Sequence, residues 1–215
     1  MAKKYTYKQE RALVTIDCVV LTYHKNNFYV LLNKKEAKDF WTIIGTPLKL
    51  KEDATETISK EVKEKTGAKN FYITQLAAYA GVKRNPKERS VSISYVCIIP
   101  EIEPISTENK KWFSLKNLPT LGFDHKIIIK DSYDKIKTRV NSVLFLAAIL
   151  PKRFTISQMQ NMVEVLSNKT FDKRNFRKKI ISQKIVEPLK ELQRNVNHRA
   201  AQYYKIAPKA LEKTI

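Results

Sequence analysis

The sequence predicts a mixed α/β (α+β) protein in two parts, and three observations carry that prediction. Strand-like apolar runs dominate the first half, interrupted by one early helix. Two short amphipathic helices and a polar hairpin follow in the last third. Positive charge concentrates in that last third as well. Strands with an early helix suit a mixed sandwich, and the basic tail suits a small appended module.

At 215 residues, with 43% hydrophobic and 10% aromatic content, the chain can bury real cores, which argues against wholesale disorder. No apolar run reaches the roughly 20 residues that a membrane span needs. Met1 to Tyr5 shows no apolar signal region, so a cytoplasmic location is expected. Cys18 and Cys97 lie in apolar runs and suit buried small hydrophobes in a reducing compartment. With three scattered histidines they do not suggest a zinc site, and no cofactor is expected.

The formal charge of +20 is the strongest compositional signal. Residues 131–215 carry 18 Lys and Arg against 7 Asp and Glu, a net of +11, whereas residues 1–130 carry a net of +9. The denser charge of the C-terminal part favours a polyanionic partner there, although lysine-rich composition throughout is the blander explanation.

The elements follow in order. Residues 1–10 read as a polar arm, and Arg11 to Tyr23 as a strand. Lys25-Asn26-Asn27 reads as a hairpin turn into a strand from Phe28 to Leu32. Lys34 to Asp39 reads as a charged loop, and Trp41 to Ile44 as short and extended. A helix over 52–67 would bury Ala54, Ile58 and Val62 and stop at Gly67. Phe71 to Tyr79 and Ser90 to Ile99 read as strands flanking a charged loop. Glu108 to Leu118 reads as a last strand. Ile127 to Leu150 has helical spacing with a break near Val140 to Ser142 and no Gly/Ser linker, so a stiff junction is expected.

The residues from Thr46 to Ala68 resemble the Nudix box, G-x5-E-x7-R-E-U-x-E-E-x-G-U, with Glu52, Glu61, Val62, Glu64 and Gly67 in register. Trp41 to Thr46 is similar to the W-x-L-P-G-G lead-in without its proline and second glycine. The resemblance implies a Nudix-like mixed-sheet α/β/α sandwich whose box glutamates hold Mg²⁺, a hard cation that takes carboxylate oxygens. The departures bear on that chemistry. Lys60 stands for the arginine and Lys65 for the second glutamate of the pair, on the face that Glu61 and Glu64 share. An ammonium there repels the ion, so Glu52, Glu61 and Glu64 are read as degenerate metal positions and no metal is expected.

The loop Arg84-Asn85-Pro86-Lys87-Glu88-Arg89 resembles the R-D-P-x-x-R segment of ADP-ribose-type Nudix proteins and of regulators derived from them. Forked arginine donors suit phosphate and sugar oxygens, which makes Trp41, Arg84 and Arg89 the candidate effector contacts. From these residues alone, a solvated hairpin loop is an equal reading.

After Pro151, Thr155 reads as the N-cap of a helix burying Ile156, Met159, Met162, Val163 and Leu166. Asp172 reads as the cap of a second helix that buries Phe176 and Ile180 and projects Lys173, Arg174, Arg177 and Lys178. Two short helices with a tight turn and a basic second helix form the arrangement that enters a major groove. Val186 to Leu189 and Ala200 to Ile206 read as a wing with its tip at Lys190 to Arg199. The run from Phe154 to Lys179 resembles the winged helix of Nudix-related transcriptional regulators, which implies a C-terminal winged helix-turn-helix domain.

That resemblance implies a bacterial, homodimeric regulator in which residues 1–130 bind an effector and residues 131–215 bind a double-stranded DNA operator. The effector would be ADP-ribose or a sugar such as arabinose, and the strand Ile16 to Val20 leans towards the sugar branch. Candidate DNA contacts are Thr155, Lys173, Arg174, Asn175, Arg177, Lys178 and Arg199. Two alternatives stand beside it. One is a Nudix hydrolase of ADP-ribose or a related nucleoside diphosphate derivative, using Glu52, Glu61 and Glu64. The other is an RNA-associated protein using general positive charge.

Overall fold

The computed structural model describes residues 11–34, 39–100, 107–193 and 200–215. Its centre is β1 (Leu13–His24), whose middle seven residues are buried because both faces of the sheet are covered. One edge of β1 pairs in parallel with β6 (Ser90–Ile99) over Leu13 to Thr22. The other edge is divided. Leu21 to His24 pair with β2 (Asn27–Lys34), whereas Thr15 to Cys18 pair with β4 (Ile44–Pro47). The β1–β2 turn is tight, with Lys25 and Asn26 both at positive φ (44° and 61°), as a two-residue hairpin requires.

The two strands therefore part like a fork, and residues 41–47 fill the opening. β3 (Trp41–Thr42) pairs with β2, and β4 then crosses to β1. β5 (Tyr72–Tyr79) lies antiparallel to β6, and β7 (Lys110–Ser114) runs along the far edge of β2. The sheet has seven strands in all.

Period-two alternation sends β1 side chains to two cores. Ile16, Cys18 and Val20 meet Ile58 and Val62 of α1 (Ala54–Thr66) on one face. Thr57 joins them, while Ala54 stays only partly buried. Gly67, at φ 70°, ends α1 in the left-handed conformation that glycine tolerates. Val19 and Leu21 meet Ile128, Ile129 and Ile136 of α2 (His125–Lys137) on the other face. Helices on both faces make this an α/β/α sandwich. Cys18 and Cys97 are both buried and free.

α2 begins two residues earlier than the periodicity indicated and ends at Lys137. A turn over 138–142 separates it from α3 (Val143–Ile149), which Ser142 caps by accepting the Phe145 N–H. The expected division at 130/131 falls inside α2. The C-terminal residues close over the turn, with Val143 N–H donating to the Lys213 carbonyl and Ile215 N–H to the Asn141 carbonyl.

α4 (Ile156–Ser167), α5 (Lys173–Ser182) and the hairpin of β8 (Val186–Leu192) with β9 (Gln202–Ile206) complete the chain. One apolar cluster runs without interruption from Val19 in the sheet through α2 to Met159, Phe176 and Tyr204. Among the described residues no helix is long and apolar enough to cross a membrane.

Candidate nucleic-acid interface and effector pocket

Local sequence determines the geometry of the C-terminal module. Thr155 accepts the Gln158 N–H at 3.1 Å, and Gln158 Oε1 accepts the Thr155 N–H at 2.8 Å, so both sides of a capping box are made. Asn168 ends α4 at φ 53°, and Asp172 then caps α5 by accepting the Asn175 N–H at 2.8 Å. The connecting turn has a clamp that the sequence reading missed. Gln160, buried on α4, donates to Glu164 Oε1 and to the Phe171 carbonyl, and Glu164 accepts the Phe171 N–H. These donors lower the Glu164 pKa. The i,i+4 spacing of Gln160 and Glu164 was the available signal.

With Phe176 and Ile180 turned inward, Lys173, Arg174, Asn175, Arg177 and Lys178 are exposed on α5. Helical geometry puts Arg174 and Lys178 opposite the buried pair. Arg177 sits to one side, where its Nη2 donates to Tyr204 Oη at 3.0 Å and its guanidinium lies 5.8 Å from the Tyr204 ring. It braces α5 against the wing. Thr155 needs correction as a DNA contact, because it is only 5% exposed and its hydroxyl is used in the cap. Arg199 and the expected wing tip from 194 onward lie outside the described residues.

On the sandwich, a cavity of about 1150 Å³ opens between the 80–87 loop and the start of α2, lined by Phe40, Tyr79, Lys83, Lys87, Phe123 and Ile127 among others. At its base Arg84 is buried, with its side chain 6% exposed. Its Nε donates to Asp124 Oδ2 at 3.0 Å, and its Nη2 to Asp17 Oδ2 at 3.0 Å and to Asp124 Oδ1 at 3.2 Å. Ser90 Oγ accepts from Nη1 at 3.2 Å. A smaller recess of about 230 Å³ adjoins it, bordered by Asp17, Gly45, Thr46, Arg84 and His125. His125 Nδ1 accepts the Ile43 N–H at 3.2 Å. Burial holds its imidazole below the ordinary pKa, Arg84 adds to that, and Asp17 and Asp124 oppose it.

This arrangement bears on two of the candidate effector contacts. Arg84 makes four hydrogen bonds inside the protein, to two carboxylates and a hydroxyl, so it ties β1, the loop and α2 together at the base of the cavity. Trp41 lies outside the cavity lining, stacked edge-on with Phe113 at 4.8 Å. Its neighbour Phe40 faces the cavity instead, 5.9 Å from Phe123. Gly122 makes room for it, since a Cβ there would stand 2.3 Å from the Phe40 ring. Likewise a Cβ on Gly45 would stand 2.3 Å from Asp17 Oδ1, which explains why this glycine of the lead-in is kept. Arg89 is exposed and donates to the Ala80 carbonyl at 2.8 Å, closing the loop on itself. Asp17, Asp124 and His125 were missed, although a carboxylate inside the apolar run Ile16 to Val20 was a visible signal.

The box glutamates point to other work. Glu52 takes Lys60 Nζ at 3.0 Å and the Thr57 hydroxyl at 3.2 Å, and the Lys60 hydrogen bond lowers its pKa. Glu61 pairs with Lys65 at 3.8 Å, and Glu64 is exposed. The lysines that stand for the family's arginine and glutamate thus pair with two of the three box carboxylates, Glu52 and Glu61. Among the described residues no group of three or more His, Cys, Asp or Glu could hold a metal ion.

α2 joins the two regions. Arg84 holds Asp124 at its start, Tyr79 Oη donates to Asp131 at 2.8 Å, and Tyr133 Oη donates to the Val165 carbonyl of α4 at 3.3 Å.

Comparison with known proteins places these parts in one family. The profile of the NrtR DNA-binding winged helix domain matches residues 146–206. The ADPR responsive transcriptional repressor NtrR of Acinetobacter baylyi is 23% identical over 91% of this chain and 82% of its own. The ADP-ribose pyrophosphatase of Methanocaldococcus jannaschii is 30% identical over 60% of this chain and 77% of its own. The crystal structure of Shewanella oneidensis NrtR complexed with a 27mer DNA superposes with a TM-score of 0.77 at 22% identity, covering 94% of this chain and 97% of that one. With a Nudix sandwich leading into an NrtR-type winged helix, the chain belongs to the Nudix-related transcriptional regulators.

Proposed function

We propose that the protein is a DNA-binding transcriptional regulator whose sandwich senses an ADP-ribose-type effector and does not hydrolyse it. The observation that carries this reading is the module of α4 and α5, capped at both helix starts, with Arg174 and Lys178 exposed opposite its core. Lys173, Arg174, Asn175 and Lys178 face the major groove of a double-stranded operator. Arg177 keeps the wing in place beside them.

The effector occupies the cavity above Arg84, where Lys83 and Lys87 meet a diphosphate and Phe40 and Phe123 meet an apolar ring. Arg89 shapes the loop over it. The named relatives favour ADP-ribose over a sugar, and Asp17, the polar residue of the strand that leaned towards arabinose, is bound to Arg84. Effector contacts that favour one position of the 80–89 loop move Asp124 and hence α2, which is shared by residues 1–130 and 131–215. Operator affinity then shifts by the effector's differential binding to the two states. Two copies of the chain read two half-sites.

The hydrolase reading keeps one observation in its favour, the 30% identity to an ADP-ribose pyrophosphatase. Phosphorus NMR of ADP-ribose with the protein and Mg²⁺ separates the two readings. The regulator binds the nucleotide and leaves it intact. Turnover at low protein concentration that disappears in Glu61→Gln makes it an enzyme instead.

A further inference from the structure

A second cavity, of about 580 Å³, lies at the junction of α2, α4 and α5 and shares no lining residue with the cavity above Arg84. Its volume falls within the range of small-molecule sites. The floor is apolar, with Val163, Leu166, Phe176 and Ile180 all at most 6% exposed. The rim is cationic, with Lys137, Lys169 and Lys179. Lys137 pairs with Asp134 at 3.2 Å, but neither Lys169 nor Lys179 has an ion-pair partner among the described residues. Asp172 is the one acidic residue of the lining, and one of its oxygens is held by the α5 cap. Ser167, which also lines the cavity, has a buried Oγ without a hydrogen-bond partner, the only such atom among the described residues. Buried polar groups are nearly always paired, so this hydroxyl leaves a hydrogen bond unmade in the cavity wall.

We propose that this cavity is a second ligand site, for a small amphiphilic anion with a compact apolar body and one carboxylate or phosphate group. The body lies on Leu166 and Ile180, and the anion lies between Lys169 and Lys179. A DNA phosphate could meet the two lysines, but it has nothing to place on the apolar floor. The site borders Asn175 of α5 and the 138–142 turn, so an occupant sets the angle between α2 and the DNA-facing helix. That consequence for operator affinity rests on the regulator reading, whereas the binding itself does not.

The test is titration of the full chain with 4-phenylbutyrate and with phenyl phosphate, followed by amide NMR, with 4-phenylbutanol as the uncharged control. Saturable shifts at residues 163–167 and 179 are expected for the anions, with binding weakened about tenfold or more for the alcohol and for the Lys169→Ala/Lys179→Ala variant. Far-ultraviolet circular dichroism shows whether that exposed-lysine variant stays folded. Equal binding of alcohol and anion, shifts confined to other surfaces, or no saturation by either anion overturns the proposal. If the lysine variant loses affinity for all DNA sequences while no anion binds, the lysines are phosphate contacts and the cavity is not a ligand site. Anion binding without any change in operator affinity keeps the site and removes its regulatory consequence.

Discussion

Replacing Arg84 with methionine removes a guanidinium from between two carboxylates while keeping most of its stem. At 3.0 Å to each of Asp17 and Asp124, and with an effective dielectric of about 20, each attraction is worth roughly 5 kcal/mol before desolvation is counted. Desolvating the three ions costs several kcal/mol apiece, so the assembled group is close to neutral for stability. Its removal is not. Asp17 and Asp124, with side chains 10% and 15% exposed, would keep their desolvation and lose their partner. A loss of about 3–5 kcal/mol is expected for Arg84→Met by urea denaturation. The triple variant Arg84→Met/Asp17→Asn/Asp124→Asn should recover most of it, because no buried charge is then left alone. A loss under about 1 kcal/mol, or no recovery in the triple variant, would refute the buried tie and return Arg84 to the effector contacts.

Arg174→Ala should cost about 1–3 kcal/mol of operator affinity and relax base preference, whereas Lys178→Ala should weaken all sequences alike and lower the salt slope by about one, both read by fluorescence anisotropy. Thr155→Ala should lower stability by about 1 kcal/mol without changing operator preference, as calorimetry and anisotropy together would show. His125 has a lowered folded-state pKa, so the unfolded chain binds its proton first as pH falls. Its contribution is therefore present above the ordinary histidine value of about 6.5 and is lost as pH drops below it. Urea midpoints between pH 7.5 and 5.5 should fall less steeply in His125→Gln than in the parent.

Local features were readable because they depend on neighbouring residues. The caps at Thr155 and Asp172, the stop at Gly67 and the hairpin at Lys25-Asn26 each involve a few adjacent positions. The burial of Cys18, Ile58 and Phe176 followed from period two or period 3.6 alone. The effector region was not readable in this way. Arg84 meets residues 67 and 40 positions away, and only the fork in β1 and the start of α2 bring them together. Trp41 packs on Phe113 while its neighbour Phe40 lines the cavity, a difference of one residue that spacing alone does not resolve. Arg177 looked like a free cation until β9 placed Tyr204 beside it.

Operator binding is the measurement to make first, using a palindromic fragment from upstream of the protein's own gene, in moderate salt and excess nonspecific DNA, with and without ADP-ribose. L-arabinose serves as the parallel sugar. The regulator reading predicts competitor-resistant binding that ADP-ribose shifts by about 5-fold or more and arabinose leaves unchanged. Binding that never exceeds the competitor would contradict it, and so would operator binding indifferent to ADP-ribose at concentrations that saturate the sandwich.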